Sequence, residues 1–144
     1  MNRLTAAIIL AAIVTVGITA CGADEPVRDG AFIHITHYSD DPHRLLMALN
    51  MASIMADDHD VLVYFDIKGV NAVLKDTEDI TFSHFPSLKD QLTALKNKGI
   101  VLLACPGCLK AAGKSETDLA EGVQIADKTL FFSFTKGRIL TLDY

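Results

Sequence analysis

Two cysteines three positions apart, in "LLACPGCLKAAG" at 102–113, are the residues best suited to chemistry in this chain of 144 residues. A CxxC pair can cycle between dithiol and disulfide, hold a soft metal, carry sulfur on one thiol, or lock a loop. Cys105 ends an apolar run and is followed by Pro106 and Gly107. That order predicts a strand running into a helix, with Cys105 as cap, Pro106 as first helical residue and Cys108 one turn in. Helix-start amides favour a thiolate over a thiol, so Cys105 is the candidate nucleophile and Cys108 the thiol able to attack an adduct on it. Gly107 leaves the backbone uncrowded for an approaching sulfur compound.

A third cysteine, Cys21, follows "MNRLTAAIILAAIVTVGITA". One positive charge at Arg3, an apolar stretch and small residues form the order of a secretory leader. A Cys directly after "ITA" resembles the lipobox of bacterial lipoproteins, in which that thiol is acylated. The alternatives are a plain signal peptide or a single anchor, for which the apolar run is short. The expected organisation is a leader over 1–20, a tether over 21–30 ("CGADEPVRDG") and one domain over 31–144. Gly22 and Ala23 follow the Cys with no Asp in second place, and in a two-membrane bacterium the resemblance implies the outer membrane, facing the periplasm. Two cysteines then remain in a compartment where disulfides persist.

The net charge of −5, falling to −6 once Arg3 leaves with the leader, and the lack of a basic cluster argue against a nucleic-acid partner. No Gly-rich phosphate loop or Ser-His-Asp pattern is present to suggest a bound cofactor. Of the five histidines, His34 and His37 fall in the first predicted strand, three apart and so on opposite sides of it. His37, near the carboxyl end, and His43, at the start of the next helix, could support the Cys105 thiolate or a soft metal. A polar rim is the plainer reading. Copper(I) on Cys105 and Cys108, with His37 as third ligand, is one alternative; a zinc site would need two more ligands. A non-catalytic envelope protein is another.

The elements that must position these groups alternate in type. Strands are predicted over 31–37, 61–67, 100–106, 123–127 and 138–144, and helices over 41–58, 86–99 and 107–113, with short helical pieces over 69–76 and 115–122. Residues 128–137 fit helix or strand. The runs "VLVYFDI" and "IVLLACP" are almost continuously apolar, as in central strands buried on both faces. The pattern predicts an α/β three-layer sandwich with a mainly parallel sheet of about five strands.

The run "GIVLLACPGCLKAAGKSETDLAEGVQI", 99–125, is similar to the DsrE/DsrF-like sulfur-relay family: a strand ending in a Cys, a Gly eight residues later, and Gly-Val before the next strand. These features fall on Cys105, Gly113, Gly122 and Val123, and the order of elements over 31–144 fits as well. The resemblance implies a compact α/β sandwich that associates as a homo-oligomer, a helix over 128–136, and a persulfide-bearing cysteine mapping to Cys105. Its partners would be sulfur donors and acceptors, either proteins or small thiols. Members often rely on one cysteine, whereas this chain carries a pair.

Overall fold

In the computed structural model, described over residues 26–144, five strands form one sheet in the order β4-β3-β2-β1-β5, every neighbouring pair parallel. The strands are β1 (Gly30–Ile35), β2 (Asp60–Phe65), β3 (Val101–Ala104), β4 (Val123–Ile125) and β5 (Ile139–Asp143). The two most apolar, β2 and β3, are central, each hydrogen-bonded on both edges. The sheet is wholly parallel because every crossover passes through helical or looped chain, which lets each strand start again from the same end.

The helices begin where polar side chains cap free amides. Asp41 accepts from the Arg44 N–H at 3.0 Å and Pro42 opens α1 (Pro42–Met55). Ser87 accepts from Asp90 N at 3.3 Å to start α2 (Leu88–Asn97), which Gly99, at φ +72°, stops. The helix α3 (Pro106–Ala111) follows β3, and Asp127 caps α4 (Lys128–Ser133), which resolves the ambiguous segment as helix. Short 3-10 turns occupy Gly69–Val73 and Glu116–Asp118. Among the described residues no helix is long and apolar enough to cross a membrane.

The two faces of the sheet are covered unequally. Ala31, Ile33, Ile35, Val63, Phe65, Leu102 and Ala104 point to the face packed by Leu45, Leu49, Leu92, Leu95 and Leu109, which forms the main core. Phe32, Tyr64, Leu62 and Leu103 point the other way, toward Leu130, Phe131 and Phe134 at and beside α4. A six-residue helix covers little of a sheet, and Phe132 there is 72 % exposed.

Of the boundaries that differ from the sequence-based expectation, two bear on the site. The strand expected over 61–67 ends at Phe65, because Ile67 turns out of the sheet at φ +47°. The strand expected over 31–37 ends at Ile35, so His37 lies beyond it and does not alternate with His34 across the sheet. Cys21 and the leader fall outside the described residues.

Candidate functional site

Register brings the strand ends level. Ile35 pairs with Phe65, Phe65 with Ala104, and Ala104 with Ile125. Cys105 therefore emerges at the carboxyl edge of the sheet, where loops of parallel α/β folds gather ligand-binding groups. Its own N–H donates to the Phe65 carbonyl at 2.9 Å, which fixes the cysteine backbone to β2.

Cys105 is the N-cap of α3, and its Sγ accepts from the Cys108 N–H at 3.4 Å. The polar groups around this sulfur include the Tyr64 hydroxyl, the Cys108 thiol and the Gly107 N–H. Burial pushes the Cys105 thiol up, but these donors outweigh it and hold the thiol below its ordinary value. Cys108 moves the opposite way. Burial and the neighbouring Cys105 sulfur raise its pKa, against the Ile67 N–H, which donates to Cys108 Sγ at 3.1 Å. The two thiols are unbonded to each other and half-buried. Of the two, Cys105 is thus the more acidic thiol.

Gly107 contributes its N–H, and a Cβ there would sit 3.9 Å from Cys105 Sγ, an ordinary contact. Nothing else lies within 4 Å of that point. His37 is drawn to its own loop: Nδ1 lies 3.0 Å from Asp40, which also takes Lys68 Nζ at 3.0 Å, while Nε2 lies 3.5 Å from Arg44. His43 stacks on Phe82. Among the described residues no group of three or more His, Cys, Asp or Glu side chains is gathered to hold a metal, so the CxxC brings two sulfurs and no third ligand.

The histidine that approaches the site is His34. Its ring stacks on Tyr64 with centroids 5.5 Å apart and planes 21° from parallel. Its Nδ1 lies 2.7 Å from Asp143, and its Nε2 lies 3.0 Å from Asp66, close enough for an ion pair though not aligned as a hydrogen bond. Burial opposes charging of this ring, but the contacts with Asp66 and Asp143 outweigh it, so its pKa is raised. Burial, and then the bond to Cys105, hold the Tyr64 phenol protonated well above its ordinary range. Tyr64 and Asp66 were not singled out by sequence reasoning. The available signal was their place at the end of a central strand, on the edge where Cys105 also ends its strand.

The sheet order defines an α/β protein built on one five-stranded parallel sheet, with a cysteine at its carboxyl edge. The family described as DsrE/DsrF-like matches residues 30–136, and the chain belongs to it; this family is linked to sulfur relay in general. Among solved structures, the ychN protein from E. coli is similar at 17 % identity and a TM-score of 0.60, covering 81 % of this chain and 100 % of its own. A protein of unknown function from Methanobacterium thermoautotrophicum, MTH1491, is similar at 24 % identity and a TM-score of 0.59, covering 80 % and 99 %. At these identities the likeness is one of fold. No curated protein matches the chain.

Proposed function

We propose that this protein is a thiol-based sulfur carrier of the cell envelope, with Cys105 as the sulfur-bearing nucleophile. One observation carries the reading: Cys105 Sγ caps α3 at the edge of the sheet, accepting the Cys108 N–H at 3.4 Å with the Tyr64 hydroxyl and the Gly107 N–H around it. Because α3 has only six residues, these local donors count for more than the dipole of the helix.

The loading step is an exchange. The Cys105 thiolate attacks the outer sulfur of a persulfide or polysulfide donor, R–S–SH. A new S–S bond forms, the donor's S–S bond breaks, and RS⁻ leaves, giving Cys105–S–SH. An acceptor thiolate can take the outer sulfur and return Cys105 as thiolate. Alternatively Cys108, after losing its proton, attacks the inner sulfur, forms the Cys105–Cys108 disulfide and expels HS⁻. A small thiol must then reduce that disulfide before the next cycle.

The envelope setting rests on the leader-like segment and Cys21, whose acylation would tether the domain to a membrane. Self-association is supported by the thinly covered sheet face, where Phe132 and Ile139 are exposed. A sedimentation mass of one chain would remove self-association from the proposal.

Mass spectrometry of the reduced protein after polysulfide treatment tests the central claim. One added sulfur located on Cys105 supports it. A soft-metal role would instead show as copper retained stoichiometrically after chelator challenge, and absence of both signals would leave a non-catalytic envelope protein.

A further inference from the structure

The end of β2 holds the CxxC at both of its cysteines. The Phe65 carbonyl accepts the Cys105 N–H at 2.9 Å, and two residues on, the Ile67 N–H donates to Cys108 Sγ at 3.1 Å. The Cys108 N–H closes the ring by donating to Cys105 Sγ at 3.4 Å. The turn that carries Ile67 is fastened elsewhere. Asp66 N donates to the Ile35 carbonyl at 3.1 Å, and Lys68 N and Gly69 N donate to the Thr36 carbonyl at 3.2 and 3.1 Å. Of the four successive N–H groups from Asp66 to Gly69, three bind the end of β1, and that of Ile67 alone reaches across to α3. Side chains brace the same turn. Asn71 Nδ2 donates to the Lys68 carbonyl at 2.9 Å, Lys68 Nζ pairs with Asp40 at 3.0 Å, and Asp66 lies 3.0 Å from His34 Nε2.

We propose that the Ile67 main-chain N–H is a functional part of the thiol site, holding the Cys108 sulfur beside Cys105 and stabilising its thiolate as Cys108 attacks a sulfur adduct on Cys105. The proposal deepens the sulfur-carrier reading and rests on Cys105 being the cysteine that takes up the adduct.

A thiolate accepts a hydrogen bond more strongly than a thiol, so this N–H favours the charged form of Cys108. It acts against burial and the neighbouring Cys105 sulfur, which both oppose that form. It also acts on geometry. A donor fixed to β1 through its neighbours selects, among the rotamers of Cys108, the one whose sulfur meets the turn. The Ile67 side chain is exposed and its φ is positive, so this position serves the site through its backbone.

The step is a thiol–disulfide exchange that needs no sulfur donor to be observed. The Cys105 thiolate attacks glutathione disulfide, forms a mixed disulfide and releases one glutathione thiolate. The Cys108 thiolate then attacks the Cys105 sulfur. The Cys105–Cys108 bond forms, the bond to glutathione breaks, and the second glutathione thiolate leaves. On a Cys105 persulfide the same attack expels HS⁻.

Mass spectrometry of this exchange in the reduced full-length protein tests the role of Ile67. Replacing the Ile67 amide by an ester, with the α-hydroxy analogue of isoleucine, deletes the donor and keeps the side chain. Ring closure should slow about threefold, because the thiolate lost outweighs the nucleophilicity gained by a more basic thiol. The mixed disulfide on Cys105 should form at the parent's rate and accumulate. An ester at Lys68 removes a bond to Thr36 instead and should slow closure less. Hydrogen exchange gives a second reading: Cys108→Ala should speed exchange of the Ile67 amide about threefold or more and leave the Lys68 and Gly69 amides at the parent's rate. Closure at the parent's rate in the Ile67 ester, equal slowing by the two esters, or an Ile67 amide indifferent to Cys108→Ala overturns the proposal. A mixed disulfide found on Cys108 rather than Cys105 overturns it together with the carrier reading. A Cys105 that takes no sulfur from polysulfide, while closure with glutathione disulfide still depends on the Ile67 N–H, overturns the carrier reading and leaves the role of Ile67 standing.

Discussion

The backbone N–H of Ile67 points at Cys108 Sγ across 3.1 Å, from a residue 41 positions earlier in the chain. To present that N–H, Ile67 takes φ +47°, a left-handed conformation unusual for a β-branched residue. Its side chain is 62 % exposed, so packing does not compel the conformation. Strain of this kind is held by the structure around it, here by Phe65 at the end of β2 and by the turn that begins at Gly69.

Ile67→Gly should therefore stabilise the domain by about 1 kcal/mol, since glycine adopts this φ without a Cβ penalty. It keeps the N–H, so the ranking of Cys105 over Cys108 in alkylation should persist. Urea unfolding checks the first point, and a lower midpoint would show that the Ile67 side chain contributes more than its backbone costs.

Gly69 should tolerate nothing larger. A Cβ there would lie 2.3 Å from the Ile35 carbonyl oxygen, a backbone atom that cannot move without disturbing β1. Gly69→Ala should cost about 3 kcal/mol. Because Gly69 N also donates to Thr36 O at 3.1 Å, the damage should spread to the loop between Phe65 and the 3-10 turn and raise the reactivity of Cys108. A melting temperature equal to the parent's would contradict the close approach.

The parts of this arrangement differ in how far they can be read from residues alone. The central strands were legible because Val61–Phe65 and Val101–Ala104 are apolar on both faces, a pattern only central strands need. The junction at Cys105 was legible from Pro106, which cannot continue a strand ladder but opens a helix readily. Their ends were not legible. Ile67 is a strong strand former by type, yet it turns outward to serve a sulfur that is distant in sequence. His37 looked better placed than His34 because strand length was overestimated by two residues; the chain leaves the sheet at Thr36, whose Oγ1 bonds the Tyr144 carbonyl at 2.9 Å. The pairing of Tyr64 with Leu103, two residues before Cys105, depends on register between β2 and β3, which the apolar pattern constrains by face but not by partner.

The raised pKa of His34 makes stability depend on pH. The folded ring binds its proton more tightly than the unfolded ring, so its contribution is fully present below the ordinary value of about 6.5. It is lost as pH rises through the higher folded value. The difference in unfolding free energy between the parent and His34→Gln should accordingly shrink with increasing pH across that window. Denaturant titrations at a series of pH values check this, and a difference that grows with pH would reverse the assignment of charge.

Cys21→Ser should release the protein from membranes while leaving its thermal melt unchanged, because acylation needs the thiol and the domain does not. Fractionation of cells expressing each form measures this. A Ser variant that stays with the membrane after loss of the leader would remove the lipid anchor from the proposed function.

The two thiols of the CxxC should differ in what their loss does. Cys105 caps α3, accepts the Cys108 N–H and is the more acidic thiol, so it should react first with an alkylating reagent near neutral pH. Cys105→Ser should abolish sulfur loading, because the remaining Cys108 is held protonated chiefly by burial. Cys108→Ser keeps most of the donors to Cys105, since the backbone N–H at 3.4 Å remains and a serine hydroxyl can still donate. That variant should load sulfur but release it more slowly in the absence of an acceptor thiol, since no second sulfur is present to attack the persulfide and expel HS⁻. Sulfide release after loading, followed in the parent and the Ser variant, separates the two roles. Equal release from both would limit Cys108 to holding Cys105 in its thiolate form, and faster alkylation of Cys108 than of Cys105 would contradict the order of acidity on which the carrier mechanism depends.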